Sequence, residues 1–249
     1  KLVIRVIILL FIFNITIMHI PYSMKAAILL KQNSDLIVDE VLLPPSLEVG
    51  QVLVKIIVSG ICGSQLGEID GRKGIDPYLP HLMGHEACAE VLKVGLGVKT
   101  VSEGDKVVLH WKKGNGIQAN TPIYKWRGKK LNAGSVTTFN EYAIVSENRC
   151  TSISKEINND DAALFGCAIT TAFGVIENNA KLKFGESILV CGAGGIGLNI
   201  IQAAKLVSAW PIIAVDIFDN RLKLAKEFGA THVINSKGKD LEIEVNKII

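Results

Sequence analysis

Between Met24 and Val145 the apolar positions come in short runs cut by turn residues. Leu36–Leu43 and Gln51–Ser59 are rich in Val, Ile and Leu, and Pro44-Pro45, Gly50 and Gly60 bound them. Apolar runs of this length, bracketed by Pro and Gly, read as strands. Met24–Leu30, Ala87–Val94 and Lys106–Leu109 continue the pattern, the last entered through the turn Gly104-Asp105. This half predicts a compact, mostly β domain, with no internal repeat. From Asp160 the rhythm changes. A helical pattern covers Asp160–Asn178, then strands at Ser187–Cys191, Pro211–Val215 and His232–Ile234 alternate with helices at Ile196–Val207 and Asn220–Phe228. Alternation of that kind builds parallel βαβ units. The boundary falls within Cys150–Asp160, giving a first domain over 24–155 and a second over 156–249.

The two ends stand apart. Residues 1–23 hold no acid, the two bases Lys1 and Arg5, and an apolar run from Val6 to Phe13. A basic start and apolar middle resemble a signal peptide, but no small-residue cleavage pattern follows. Asn14, Thr16 and His19 weaken the segment as a membrane span. Position 1 is Lys, and Met24 opens a plausible strand, so 1–23 reads as upstream sequence translated ahead of the true start. Asn246–Ile249 falls inside a helical pattern without a stop signal, so the chain reads as a gene fragment.

Composition narrows the classes. With 49% hydrophobic and 20% charged residues the chain is not a disordered one. A net charge of +3, with Lys and Arg massed on no one stretch, argues against nucleic acid. Five cysteines without a C-x-x-C pair make no disulfide scaffold and suit reduced thiols in the cytoplasm.

The chemistry begins at Gly192-Ala193-Gly194-Gly195-Ile196-Gly197. This loop follows a predicted strand, opens a predicted helix, and is followed by an acid, Asp216, at the end of the next strand. That context makes it a dinucleotide-binding loop. Gly192 permits the tight turn, Gly194 lets the backbone approach the pyrophosphate, and Gly197 lets helix and strand pack closely. The helix N-terminus offers free N–H groups to phosphate. Asp216 can accept from both ribose hydroxyls and would repel a 2′-phosphate, which favours NAD over NADP.

Cys62, His85 and Cys167 form a dispersed candidate metal set. Two thiolates and an imidazole suit tetrahedral zinc with an open fourth position. They lie too far apart for spacing alone to choose them over buried cysteines and a structural His.

Five motifs in one order carry a resemblance: Gly60-Ile61-Cys62-Gly63-Ser64, Gly84-His85-Glu86, Gly104-Asp105-Lys106-Val107, Gly166-Cys167-Ala168-Ile169-Thr170-Thr171, and the glycine loop with Asp216. From Met24 to its end the chain resembles the zinc-dependent alcohol dehydrogenase side of the medium-chain dehydrogenase/reductase superfamily. The resemblance implies an α/β plus β fold. A GroES-like, mostly β catalytic domain is followed by a Rossmann doubly wound parallel sheet, incomplete here, with the active site between them. It implies one catalytic zinc on Cys62, His85 and Cys167, a Cys₂His set being the known catalytic arrangement of alcohol dehydrogenases. Glu86 matches a residue that approaches the metal, Ser64 the hydroxyl that relays the substrate proton, and Thr171 and Ile196 residues flanking the nicotinamide. Gly195 belongs to the cofactor loop, Arg221 matches a base at the adenosine ribose, and Trp111 a wall of the substrate pocket.

The implied reaction is reversible hydride transfer between a small-molecule alcohol, or its aldehyde or ketone, and NAD, by a cytoplasmic enzyme without a membrane or nucleic-acid partner and homo-oligomeric at full length. The alternatives are a zinc-free NADPH quinone or enoyl reductase of the same superfamily, and a non-catalytic dinucleotide-binding protein. Four departures stand out. Gln65 replaces an Asp that holds the ligand His, and Gly67 replaces a His that ends a proton relay. Trp111–Glu141 has no Cys where a structural zinc lobe would lie, and the second half of the Rossmann domain is missing. Trp111–Glu141 instead carries Lys112, Lys113, Lys125, Arg127, Lys129 and Lys130 around Tyr124 and Trp126, and reads as a solvated basic loop. Cys88, Cys150 and Cys191 read as packing residues. His81, His110 and His232 have no assigned role.

Overall fold

A computed structural model of the chain describes residues 20–249. Most of the apolar extension expected over 1–23 therefore lies outside the described residues. The first strand starts one residue before Met24. β1 (Ser23–Leu29) pairs antiparallel with β2 (Ile37–Leu42), Ser23 opposite Leu42, and the Tyr22 carbonyl accepts from the Leu43 amide.

The β half consists of two five-stranded antiparallel sheets. The remaining strands are β3 (Gln51–Ser59), β4 (His81–Leu82), β5 (Ala87–Val94), β6 (Lys106–Leu109), β7 (Tyr124–Trp126), β8 (Lys129–Leu131), β9 (Tyr142–Ser146) and β10 (Cys150–Ser152). One sheet runs β4-β1-β2-β7-β8 and the other β10-β6-β5-β3-β9. Alternation along β3 shows how one strand serves two cores. Leu53 joins Ile28, Val41, Tyr124 and Ile144 in one buried cluster, whereas Val52 and Val54 join Ala87, Ala89, Val107 and Val145 in another.

The segment expected as a solvated basic loop is instead a hairpin. β7 pairs with β8 and joins the sheet edge at β2 through Lys125 opposite Leu42. Tyr124 and Leu131 are fully buried, while Lys125, Lys129 and Lys130 face outward. The Tyr124 hydroxyl accepts from the Ile144 amide at 2.8 Å, and burial pushes its pKa upward.

The second half holds β11 (Ile188–Cys191), β12 (Ile212–Asp216) and β13 (His232–Asn235) as a parallel sheet in that order. α4 (Gly195–Leu206), α5 (Asp219–Phe228) and α6 (Leu241–Val245) follow these strands in turn. Small residues let α4 sit close, with Ala203, Ala204 and Ile201 packed on Ile212 and Ala214. α6 closes at Val245 with Asn246 as its C-cap, short of the helical pattern read through Ile249. Two shorter helices, α2 (Asn159–Leu164) and α3 (Ala168–Gly174), join the halves, and α3 runs on as π-type turns over Val175–Ala180. Among the described residues no helix is long and apolar enough to cross a membrane.

The single helix expected over Asp160–Asn178 is thus broken at Gly166-Cys167. A Cβ at Gly166 would lie 2.2 Å from the Leu109 carbonyl oxygen and 2.7 Å from the Glu86 Cβ. Only glycine lets the chain pass that close to β6 and the segment leading into β5.

Candidate metal centre and dinucleotide loop

Each member of the dispersed set sits where a regular element begins or ends. Cys62 is the N-cap of a seven-residue helix, α1 (Gly63–Ile69), just beyond β3. His85 precedes β5 in a turn that needs Gly84 at φ +94°, where a Cβ would meet Thr138 Oγ1 at 2.2 Å. The Met83 carbonyl fixes that turn by accepting from Thr138 and Phe139 amides. Cys167 stands at the helix break as the N-cap of α3.

The three side chains converge. Their donor atoms all lie within 4.8 Å of one another, and Cys62 Sγ is 3.9 Å from Cys167 Sγ. Burial, then the Cys62 sulfur and the Glu86 carboxylate nearby, push the Cys167 thiol up to about 12. Two thiolates beside a carboxylate repel one another unless a cation lies among them. Burial, then the charge of Lys73, holds His85 below its ordinary pKa, which keeps the imidazole in its neutral, ligating form. Glu86 adds a further sign. Its carboxyl is raised by burial against one hydrogen bond from the Ala168 amide, and Oε2 is buried with no partner. Space for it exists because Gly60 and Gly166 lack side chains, a Cβ on Gly60 falling 2.6 Å from the Glu86 Cδ. The donor chemistry and the orphaned oxygen fit a zinc ion.

The supporting residues fall differently from expectation. Gln65 is buried, but its Oε1 accepts from the Cys62 amide at 3.2 Å, and no hydrogen bond joins it to the His85 ring. It therefore anchors α1 at the ligand rather than orienting the imidazole. Ser64 is exposed on the first turn of α1, and Gly67 is buried. The Thr171 hydroxyl lies 4.0 Å from Cys167 Sγ, and its amide donates to the Cys167 carbonyl. Trp111 is half exposed. His110, which had no role in the sequence, lines a cavity of about 330 Å³ with Ile153, Phe165 and Thr170, its Nε2 2.9 Å from Thr151 Oγ1. Cys88 and Cys150 are buried, but Cys191, expected to pack, is exposed beside the glycine loop.

In that loop Gly192 takes φ +94°, and a Cβ on Gly197 would fall 1.8 Å from the Gly192 carbonyl oxygen. Both glycines are demanded by the loop itself. Gly194 and Gly195 are not: a Cβ on either meets nothing within 4 Å. Their openness leaves backbone free for a ligand at the start of α4, where Ile196 is half-buried and no side chain caps the helix. Asp216 ends β12 almost fully buried. Its Oδ2 accepts from the Ala193 amide at 2.8 Å and its Oδ1 from Phe218 at 3.0 Å, with Arg221 Nη1 3.6 Å away. Burial works to raise this carboxyl, but those amides and Arg221 outweigh it and hold it below the usual carboxylate range. This set fits a dinucleotide bearing ribose hydroxyls.

Comparison with known proteins agrees with this geometry. Residues 48–155 match the alcohol dehydrogenase GroES-like domain, and residues 195–249 match the zinc-binding dehydrogenase family. The S-(hydroxymethyl)glutathione dehydrogenase of Synechocystis sp. is 33% identical over 222 residues, covering 78% of this chain and 59% of its own length. The chain thus spans about three fifths of the curated relatives it matches. An alcohol dehydrogenase zinc-binding domain protein from Burkholderia ambifaria superposes with a TM-score of 0.83 at 28% identity, over 91% of this chain and 67% of that one. Benzyl alcohol dehydrogenase from Acinetobacter calcoaceticus gives 0.80 at 29% identity, with the same coverages.

Proposed function

Because the chain belongs to the zinc-type alcohol dehydrogenases of the medium-chain dehydrogenase/reductase superfamily, we propose that it is part of an NAD-dependent alcohol dehydrogenase. The observation that carries this reading is the convergence of Cys62, His85 and Cys167 beside Glu86, whose Oε2 is buried without a partner. When bound, zinc supplies a Lewis acid for the substrate oxygen and NAD the hydride acceptor.

The chain's own residues do the rest. Cys62, His85 and Cys167 would hold the metal, three ligands that suit zinc with a position open to the alcohol. Glu86, whose charge acts on Cys167, would tune the charge of the set. Ser64 takes the substrate proton outward. Thr171, its hydroxyl 4.0 Å from Cys167 Sγ, and Ile196 would flank the nicotinamide. Gly192, Gly194, Gly195 and Gly197 receive the pyrophosphate at the start of α4. Asp216 accepts from the adenosine ribose hydroxyls and turns away a 2′-phosphate, with Arg221 at the same ribose. All five thiols are free, which suits a reducing, cytoplasmic setting.

The relatives' names make benzyl alcohol and S-(hydroxymethyl)glutathione the first substrates to assay. The test pairs elemental analysis with NAD reduction in the parent chain and in Cys62→Ser. We expect the zinc content to drop by one per chain in the variant, and alcohol-dependent NADH formation to vanish with it. A parent that binds no zinc at these residues would sink the proposal and promote the zinc-free reductase.

A further inference from the structure

His81 lies outside the metal centre described above, yet its surroundings are those of a ligand. It begins β4, and three features fix its ring. The side chain is 9% exposed. Nδ1 sits 2.9 Å from the Leu82 carbonyl, an acceptor only, so Nδ1 carries the hydrogen. Nε2 is thereby turned toward two carboxylates, 2.8 Å from Asp76 Oδ2 and 3.7 Å from Glu68 Oε1. Nδ1–H is tied to a backbone carbonyl and Nε2 donates to an acidic oxygen, so a divalent cation would take the place of the Nε2 proton among the same oxygens.

The carboxylates are placed for the same task. Asp76 is tied at Oδ1 by the Tyr78 amide at 2.9 Å, which leaves Oδ2 for the cluster. Burial works to raise its carboxyl, but the Tyr78 amide and His81 overcome this and keep it below the ordinary range. Glu68 reaches in from the last turn of α1, its Oε2 3.9 Å from Lys73 Nζ and its Oε1 toward His81. The donor atoms of Glu68, Asp76 and His81 lie within 4.8 Å of one another. Ligands bound at ~2.1 Å stand on the order of 3 Å apart, so these separations straddle the required value and need only small shifts. The group borders a cavity of about 660 Å³, where water can complete a coordination shell and where Lys130 and His85 also face.

We propose that Glu68, Asp76 and His81 form a second metal site, one that takes a divalent ion of the zinc–manganese class. Two carboxylates and one imidazole form a harder donor set than the thiolate centre, so Mn²⁺ is accepted here and refused there. No cysteine takes part, which is why the missing cysteine lobe gave no hint of it. Among the described residues the cations facing the site are Lys73, with Nζ 3.9 Å from Glu68 Oε2, and Lys130, which lines the cavity.

The experiment is Mn²⁺ titration by electron paramagnetic resonance, with the melting temperature read in parallel. We expect one Mn²⁺ per chain in both the parent and Cys62→Ser, since the thiolate centre is not its home. Binding should weaken at least tenfold in His81→Gln and in Glu68→Gln. Glu68→Gln alters a partly exposed side chain, so its fold should survive even if that of His81→Gln does not. Total zinc should fall by one in Glu68→Gln and, separately, by one in Cys62→Ser. Unchanged Mn²⁺ binding in a folded Glu68→Gln overturns the proposal, as does a folded parent that binds none. In that event His81 is a hydrogen-bond partner of Asp76 only, while the zinc count in Cys62→Ser still judges the thiolate centre on its own.

Discussion

Glu147 is 1% exposed and ionised, yet it belongs to neither cluster of candidate metal ligands. Its Oε1 accepts from the Lys99 amide, the Thr100 amide and the Thr100 hydroxyl, and its Oε2 from the Ile117 amide. Burial tends to raise this carboxyl, but the four donors prevail and hold it low. A carboxylate depressed in the folded state stabilises the fold fully above its unfolded value, and that stabilisation is lost as pH falls through the folded value. Glu147→Gln turns one oxygen into a donor facing N–H groups and should cost about 2–3 kcal/mol at neutral pH. Chemical denaturation should show the gap between parent and variant narrowing below pH 4.5, the carboxyl's ordinary value. The same sign applies to Asp216. Asp216→Asn should weaken NAD binding by about tenfold, measured by fluorescence titration, and relax the bias against NADP.

At the level of elements, two glycines decide whether the site assembles. Gly166→Ala drives a methyl into the Leu109 carbonyl and the Glu86 backbone, so the helix break and Cys167 must move. The expected cost is about 2–3 kcal/mol, with a fall in zinc content that separates it from a purely structural loss. Gly197→Ala meets the Gly192 carbonyl at 1.8 Å and must push α4 off its loop. Here the melting temperature should fall modestly and NAD affinity by about tenfold or more. The element pattern was legible where burial is regular. β3, β5 and β6 begin and end where alternation and turn residues placed them. It was not legible where tertiary contact overrides local preference. α1 has seven residues, two of them glycines, too short and too poor in helix formers to signal itself. The β7–β8 hairpin is masked by lysines, because only Tyr124, Trp126 and Leu131 pack against the core.

Across the whole molecule, the proposed metal centre would join the two halves. Cys62 follows a strand of the β half, and Cys167 stands where the second half begins. Chelation should therefore lower the melting temperature of the parent by more than that of Cys62→Ser, which has lost the thiolate centre, by the linkage between ligand binding and folding. Hydrogen exchange should rise at 62–69 and 166–171 together. The glycine loop was legible locally, because glycine geometry is written there, whereas the dispersed ligand set was reached only through the resemblance that the order of five motifs carries. His81, Gln65 and the orphaned Glu86 oxygen were not readable that way, since their partners arrive from distant segments.

The contact between Cys62 and Cys167 joins residues 105 positions apart. Closing so long a loop is entropically costly and comes late in folding, after local hairpins and helices have formed. The centre is therefore a clock. During refolding, both sulfurs should stay open to alkylation until the last kinetic phase and then become shielded in a single step.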